Sequence, residues 1–150
     1  MHEYPELIDC VWLASDRVGQ VAVFITAGQG PIPRVVLDRI DFNSDDMEPS
    51  VFGLPPVAEV QLLVSVSRPD DFIAMAERGI FVYDWTDAHR GSGLRRAYEM
   101  VAVPLNPIAV TALPDELLNF IGDSRFAELE FSASRTIDVD AHFACERERS

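Results

Sequence analysis

Asp9–Pro33, DCVWLASDRVGQVAVFITAGQGPIP, sets two short apolar runs on either side of a polar turn and closes on a loop of Gly and Pro. The runs Cys10–Ser15 and Gln20–Thr26 have the length of β-strands. The Asp16–Gly19 turn between them has the Asp and Gly chemistry that reverses a chain, so the unit reads as an antiparallel hairpin that later strands can join. In the first strand Cys10, Trp12 and Ala14 alternate with Val11 and Leu13. Both faces are apolar, which places this strand centrally or under cover on both sides. In the return strand Val21, Val23 and Ile25 share one face, and Gln20, Ala22, Phe24 and Thr26 share the other.

Downstream, Ile32, Val36 and Ile40 recur at the spacing of one helical face, and Pro33 suits a first turn, so Arg34–Phe42 reads as a helix. Asn43–Pro56 is acidic and proline-rich, a surface loop. Val57–Ser67 alternates Val60, Leu62, Val64 and Val66 with polar residues, as a strand with one buried face does. Ser67 and Asp70 have capping-box spacing ahead of a helix over Pro69–Arg78 that stops at Gly79. Ile80–Trp85 and Ala97–Val103 read as strands around a polar loop, Thr86–Arg96, with Ile108–Thr111 as a short further strand. Pro114-Asp115-Glu116 opens a second clear helix that ends at Gly122. Glu128–Ser134 alternates Leu129, Phe131 and Ala133 inward, as in a strand, and the charged stretch from about residue 135 reads as a frayed tail. The expectation is one α+β domain over 1–150. It has a mixed or mainly antiparallel sheet of about six strands, with two or three helices packed on it.

Composition limits the partners. With 150 residues and 48% apolar content the chain can bury a core without a metal or disulfide staple. No apolar run reaches the ~20 residues that span a bilayer. The opening MHEYPELID lacks a basic segment ahead of an apolar core and does not read as a signal peptide, which points to a cytoplasmic protein. Cys10 reads as core filling and Cys145 as a tail residue, both reduced, with a disulfide between them left open. Twenty-five acids face twelve basic residues, all Arg, for a formal net charge of −13. Such a field repels nucleic acid and anionic membranes and attracts basic proteins.

Motifs for catalysis are thin. The Ala27-Gly28-Gln29-Gly30-Pro31 loop follows a strand as phosphate loops do. However, Pro31 and Pro33 remove backbone donors and no GK[ST] follows, so it reads as a tight connection. Asp84, Asp87 and His89 form a D-x-x-D-x-H cluster at a strand end that could ligate a divalent metal, and it supports the alternative of a small metal-dependent hydrolase. His142 and Cys145 are too few for a zinc site. Ser92, between Gly91 and Gly93, lacks a nucleophile elbow. No catalytic residue, metal site or cofactor is assigned.

Asp38, Asp41, Asp45, Asp46 and Glu48 crowd a helix end and the loop after it, opposed only by Arg39. A negative patch of this kind can imitate phosphates and seat in a cationic groove, with Phe42, Phe52 and Trp85 as candidate aromatic anchors. Across Trp12, the Asp16–Gly19 turn and Thr26-Ala27-Gly28, the chain resembles small acidic bacterial immunity-type proteins encoded beside interbacterial toxins. That resemblance implies a non-catalytic inhibitor of a cognate toxin domain and transfers no functional residue. The sequence reading is therefore an acidic, cytoplasmic binding protein whose partner-binding residues are the five acids from Asp38 to Glu48. A structural homo-oligomer, such as a homodimer joined through an open sheet edge, is the remaining alternative.

Overall fold

A computed structural model describes residues 11–26, 30–37, 50–63, 70–86, 97–122 and 124–143. The hairpin expected from the opening stretch forms as β1 (Val11–Ser15) and β2 (Val21–Ile25), antiparallel with Leu13 opposite Val23. Its turn relies on Gly19, whose φ of 88° lies where a side chain is strained. After α1 (Arg34–Leu37) come β3 (Val60–Leu62), α2 (Asp70–Glu77), β4 (Phe81–Thr86), β5 (Ala97–Pro104), α3 (Asp115–Ile121) and β6 (Thr136–Ile137). One mixed six-stranded sheet results, in the order β1-β2-β4-β5-β3, with β6 also on β5. Among the described strands only β2 and β4 run parallel. The α+β arrangement agrees with the sequence reading. The hairpin, however, is one end of the sheet rather than its middle, although β1 is covered on both faces.

β5 carries an irregularity in its pairing with β4. Tyr83 faces Met100, yet Val82 faces Ala102, so Val101 is an extra residue that bulges out of the β4 pairing. A bulge shifts the alternation by one. Tyr98 and Met100 therefore point to one face of the sheet, whereas two residues on from Met100 Ala102 points to the other. The outer edge of β5 is split in the same place. Ahead of the bulge it pairs with β6, and after it with β3. Pro104 can end this strand because Glu59 and Leu105 make the last hydrogen-bonded pair with β3, at 2.7 Å, and no N–H is required of Pro104 there.

The two faces have different cores. One is aliphatic: Val11, Leu13, Val21, Val23 and Val82 lie beneath Met75 and Ala76 of α2, Leu117 and Ile121 of α3, and Val51 and Leu54. The other is aromatic: Trp12, Phe24, Phe81, Tyr83, Trp85 and Tyr98 lie beneath Ile32, Val36, Phe126, Phe131, Ile137 and Val139. The expected helices over Pro69–Arg78 and Pro114–Ile121 are those of the aliphatic face. Of the expected helix Arg34–Phe42, residues 34–37 are helical and 38–42 lie outside the described residues.

Three expectations fail. Ile108–Thr111 is not a strand: it makes a single bridge from Ala109 to Gln20, then a 3-10 turn at Val110–Ala112 that is fixed when the Val110 N–H donates to Gly19. Glu128–Ser134 is not a strand either. Phe131–Ala133 forms a 3-10 turn, and of the three residues expected inward only Phe131 is buried. The stretch from Arg135, expected to fray, is ordered fold through Phe143. Arg135 accepts the Met100 N–H at 2.8 Å, β6 follows, and Ile137 and Val139 are 2% and 1% exposed. Its polar composition hid two apolar residues aimed into the aromatic core.

Candidate functional site

Because β2 and β4 are parallel, they finish at one end of the sheet, where β1 and β5 begin. Asp84 and Glu99 sit directly opposite one another there, both half-buried, with Ile25 beside Asp84. Like charges in cross-strand register repel, with Cβ atoms ~5 Å apart, and both carboxylates have further interactions within the fold. Two carboxylates at that spacing can share a cation. Asp87 and His89, which the sequence groups with Asp84, lie outside the described residues. Among the described residues no group of three His, Cys, Asp or Glu side chains is placed to hold a metal.

Asp38, Asp41, Asp45, Asp46 and Glu48 also lie outside the described residues, as do Phe42, Cys10, Ser92 and Cys145. The ends of the acidic stretch are placed, however. Val36 packs in the aromatic core and Val51 in the aliphatic one, so its two anchors are on opposite faces of the sheet. Of the other proposed aromatic anchors, Trp85 is 8% exposed and belongs to the core. Phe52 is half-buried, with the Arg78 guanidinium 5.7 Å over its ring. Arg78 also donates to the carbonyls of Phe52, Leu54 and Ala74, and so clamps the turn at 50–54 onto the end of α2.

Further acids are exposed on the described surface. Asp70 and Asp71 open α2, Asp115 and Glu116 open α3, and Glu59 precedes β3. Four of them sit in first helical turns, where the helix dipole favours negative charge. Of the described arginines, Arg78 is spent on its clamp and Arg17 pairs with Glu130 at 3.1 Å, while Arg34, Arg125 and Arg135 are exposed.

The most constrained carboxylate is one that the sequence reading treated only as a turn residue. Asp16 is fully buried; one oxygen accepts from the Val18 and Gln20 N–H groups at 3.0 and 2.8 Å, and the other from Phe131 at 2.7 Å. It folds its own turn and holds the 3-10 turn 115 residues away. Burial, and secondarily the Asp16 charge, push the Tyr83 hydroxyl well above the ordinary tyrosine range. That hydroxyl donates to the Phe131 and Ser134 carbonyls. Both groups are occupied structurally, and neither is presented to a substrate.

The glycine loop has a structural explanation of the same kind. A Cβ on Gly30 would collide with the Tyr98 hydroxyl and stand 2.8 Å from its ring carbon. Tyr98 reaches this point because it accepts from the Trp12 Nε1–H at 3.3 Å and donates to the Pro31 carbonyl at 3.0 Å. Gly30 thus makes room for a tyrosine, in keeping with a tight connection. No protein-family model matches this chain, and neither the curated proteins nor the solved structures contain a match to it.

Proposed function

We propose that this chain is a non-catalytic acidic binding protein that neutralises a basic partner, most concretely an immunity-type inhibitor seated on the cationic site of a toxin domain. The observation that carries this reading is the distribution of charge. The five acids between Asp38 and Glu48 have a counterpart in exposed acids at the starts of α2 and α3, while Arg78 and Arg17 are committed to internal partners. A surface of one sign accelerates encounter with a partner of the other and is screened by salt. The partner to test is the protein encoded beside this chain. Its association rate should fall by about tenfold or more between low and physiological ionic strength. Neutralising Asp45, Asp46 and Glu48 together should slow association further. A rate indifferent to salt overturns the reading.

A second reading is favoured by one observation, the placement of Asp84 opposite Glu99 at the sheet end. In it, the Asp84, Asp87 and His89 segment holds a divalent metal for hydrolysis. Titration with Mn²⁺, Mg²⁺ and Zn²⁺, followed by melting temperature, separates the two: an upward shift that Asp84→Asn abolishes supports the metal, and no shift removes it.

A further inference from the structure

β3 is the far edge of the sheet. Its residues 59, 61 and 63 turn their backbone groups inward to β5, as the bonds from Leu105 to Glu59 and from Leu63 to Val101 show. Alternation then turns the N–H and C=O groups of Val60 and Leu62 outward. Among the described residues no hydrogen bond takes them up, and Gln61 between them is exposed. Natural edges are blunted by short length, Lys, Pro, a bulge or an inward charge; β3 has the first, at 3 residues, and Val60-Gln61-Leu62 contains none of the others. Two of the four large apolar side chains exposed on the described surface, Val57 and Leu105, each 54% exposed, lie at one end of this edge.

We propose that the β3 edge takes up an extended segment of a basic protein as an added strand. The two faces of the edge specify the occupant. Val60 and Leu62 lean on the aliphatic core, so residues added beside them gain by being apolar. Glu59 and Gln61 belong to the opposite face and are exposed, so the alternate residues gain by being basic. An alternating apolar and basic strand fits, whereas a second copy of a chain with net charge −13 meets repulsion. This inference rests on the reading of the chain as a binder of basic proteins, and names the backbone to which the partner attaches.

The test uses the full chain and a synthetic peptide of Lys-Val repeats, with a Glu-Val peptide as control. The Lys-Val peptide should slow hydrogen exchange at the Val60 and Leu62 amides by about tenfold or more, and the Glu-Val peptide should not. Val60→Pro removes one outward N–H and spares the inward ladder, so it should weaken binding by about tenfold. Glu59→Lys, at an exposed position, should weaken it without touching the fold. Salt-sensitive binding that leaves the two amides unchanged, or survives both substitutions, overturns the edge inference and leaves the acidic-binder reading standing. Failure to bind any basic peptide or protein overturns both. A dimer in which these amides are protected without peptide assigns the edge to a second copy and overturns the inference.

Discussion

The two faces of the sheet are covered in different ways. Over the aliphatic face lie α2 and α3, which satisfy most of their own backbone groups and need from the sheet only an apolar surface. Over the aromatic face lie α1, the 3-10 turns at Phe131–Ala133 and Val139–Ala141 and the short strand β6, which cannot do this unaided. The sheet supplies the missing partners from side chains: Asp16 holds the Phe131 N–H, Tyr83 the Phe131 and Ser134 carbonyls, and Tyr98 the Pro31 carbonyl. Buried backbone must be paired, so irregular cover demands polar anchors among the apolar ones. The aliphatic face repeats the rule on a small scale, where a helix end and its following turn at 50–54 are tied down by Arg78.

The contrast can be tested by substitution, with stability read from urea unfolding. Phe24 stacks on Trp12 at 4.3 Å and Tyr83 at 5.0 Å, and meets Tyr98, Phe126 and Phe131 at larger angles. Phe24→Ala should cost about 4 kcal/mol, and Leu117→Ala on the other face about 3 kcal/mol. A larger loss at Leu117 would reverse the ranking of the two cores. Asp16→Ala leaves three backbone N–H groups without their acceptor and should cost about 3 kcal/mol, with faster amide exchange at Phe131. If exchange at Phe131 were unchanged, the carboxylate would not be what holds the 3-10 turn. Gly30→Ala forces Tyr98 to shift and should cost about 2 kcal/mol, recovered in part by Tyr98→Phe in the same chain.

Tyr83→Phe should cost about 1 kcal/mol, the smallest of these effects. The same hydroxyl sets a pH dependence. Its pKa is raised in the folded state, by burial first and by Asp16 second, so the contribution is full below the ordinary tyrosine value of 10.0. As pH rises above that value, the unfolded chain releases a proton that the folded chain keeps, and stability falls. In Tyr83→Phe this alkaline loss should be smaller. An identical slope above pH 10 in both proteins would remove Tyr83 from the account.

Legibility in the sequence follows the same division. The hairpin, α2, β4, β5 and α3 were readable because local rules produce them: alternation in Val11–Ile25, a glycine stop at Gly79, an acidic first turn at Asp115-Glu116. Leu129, Phe131 and Ala133 also alternate, and there the pattern misled. Asp16 and Tyr83 draw Phe131 into a turn from far along the chain, and no local period records that. Ile137 and Val139 were hidden by charged neighbours for a similar reason, since the strand that orders this stretch, β5, lies far back in the chain. The candidate acids from Asp38 to Glu48 were found by charge alone. Structure adds to them the positions of their flanking anchors and the exposed acids of α2 and α3.

The bond from Asp16 to Phe131 has a consequence in time as well as in space. A ribosome adding roughly 5–20 residues per second delivers the second partner several seconds after the first, because 115 residues separate them. Throughout that interval Trp12 and Phe24 wait with the upper part of their covering layer still unmade. The helical side also draws on a late segment, since Leu117 and Ile121 of α3 pack with Val11 and Leu13, and the ring-lined side closes only when the last stretch of the nascent chain arrives. Products cut short before Phe131 should therefore be the ones that a holding chaperone retains.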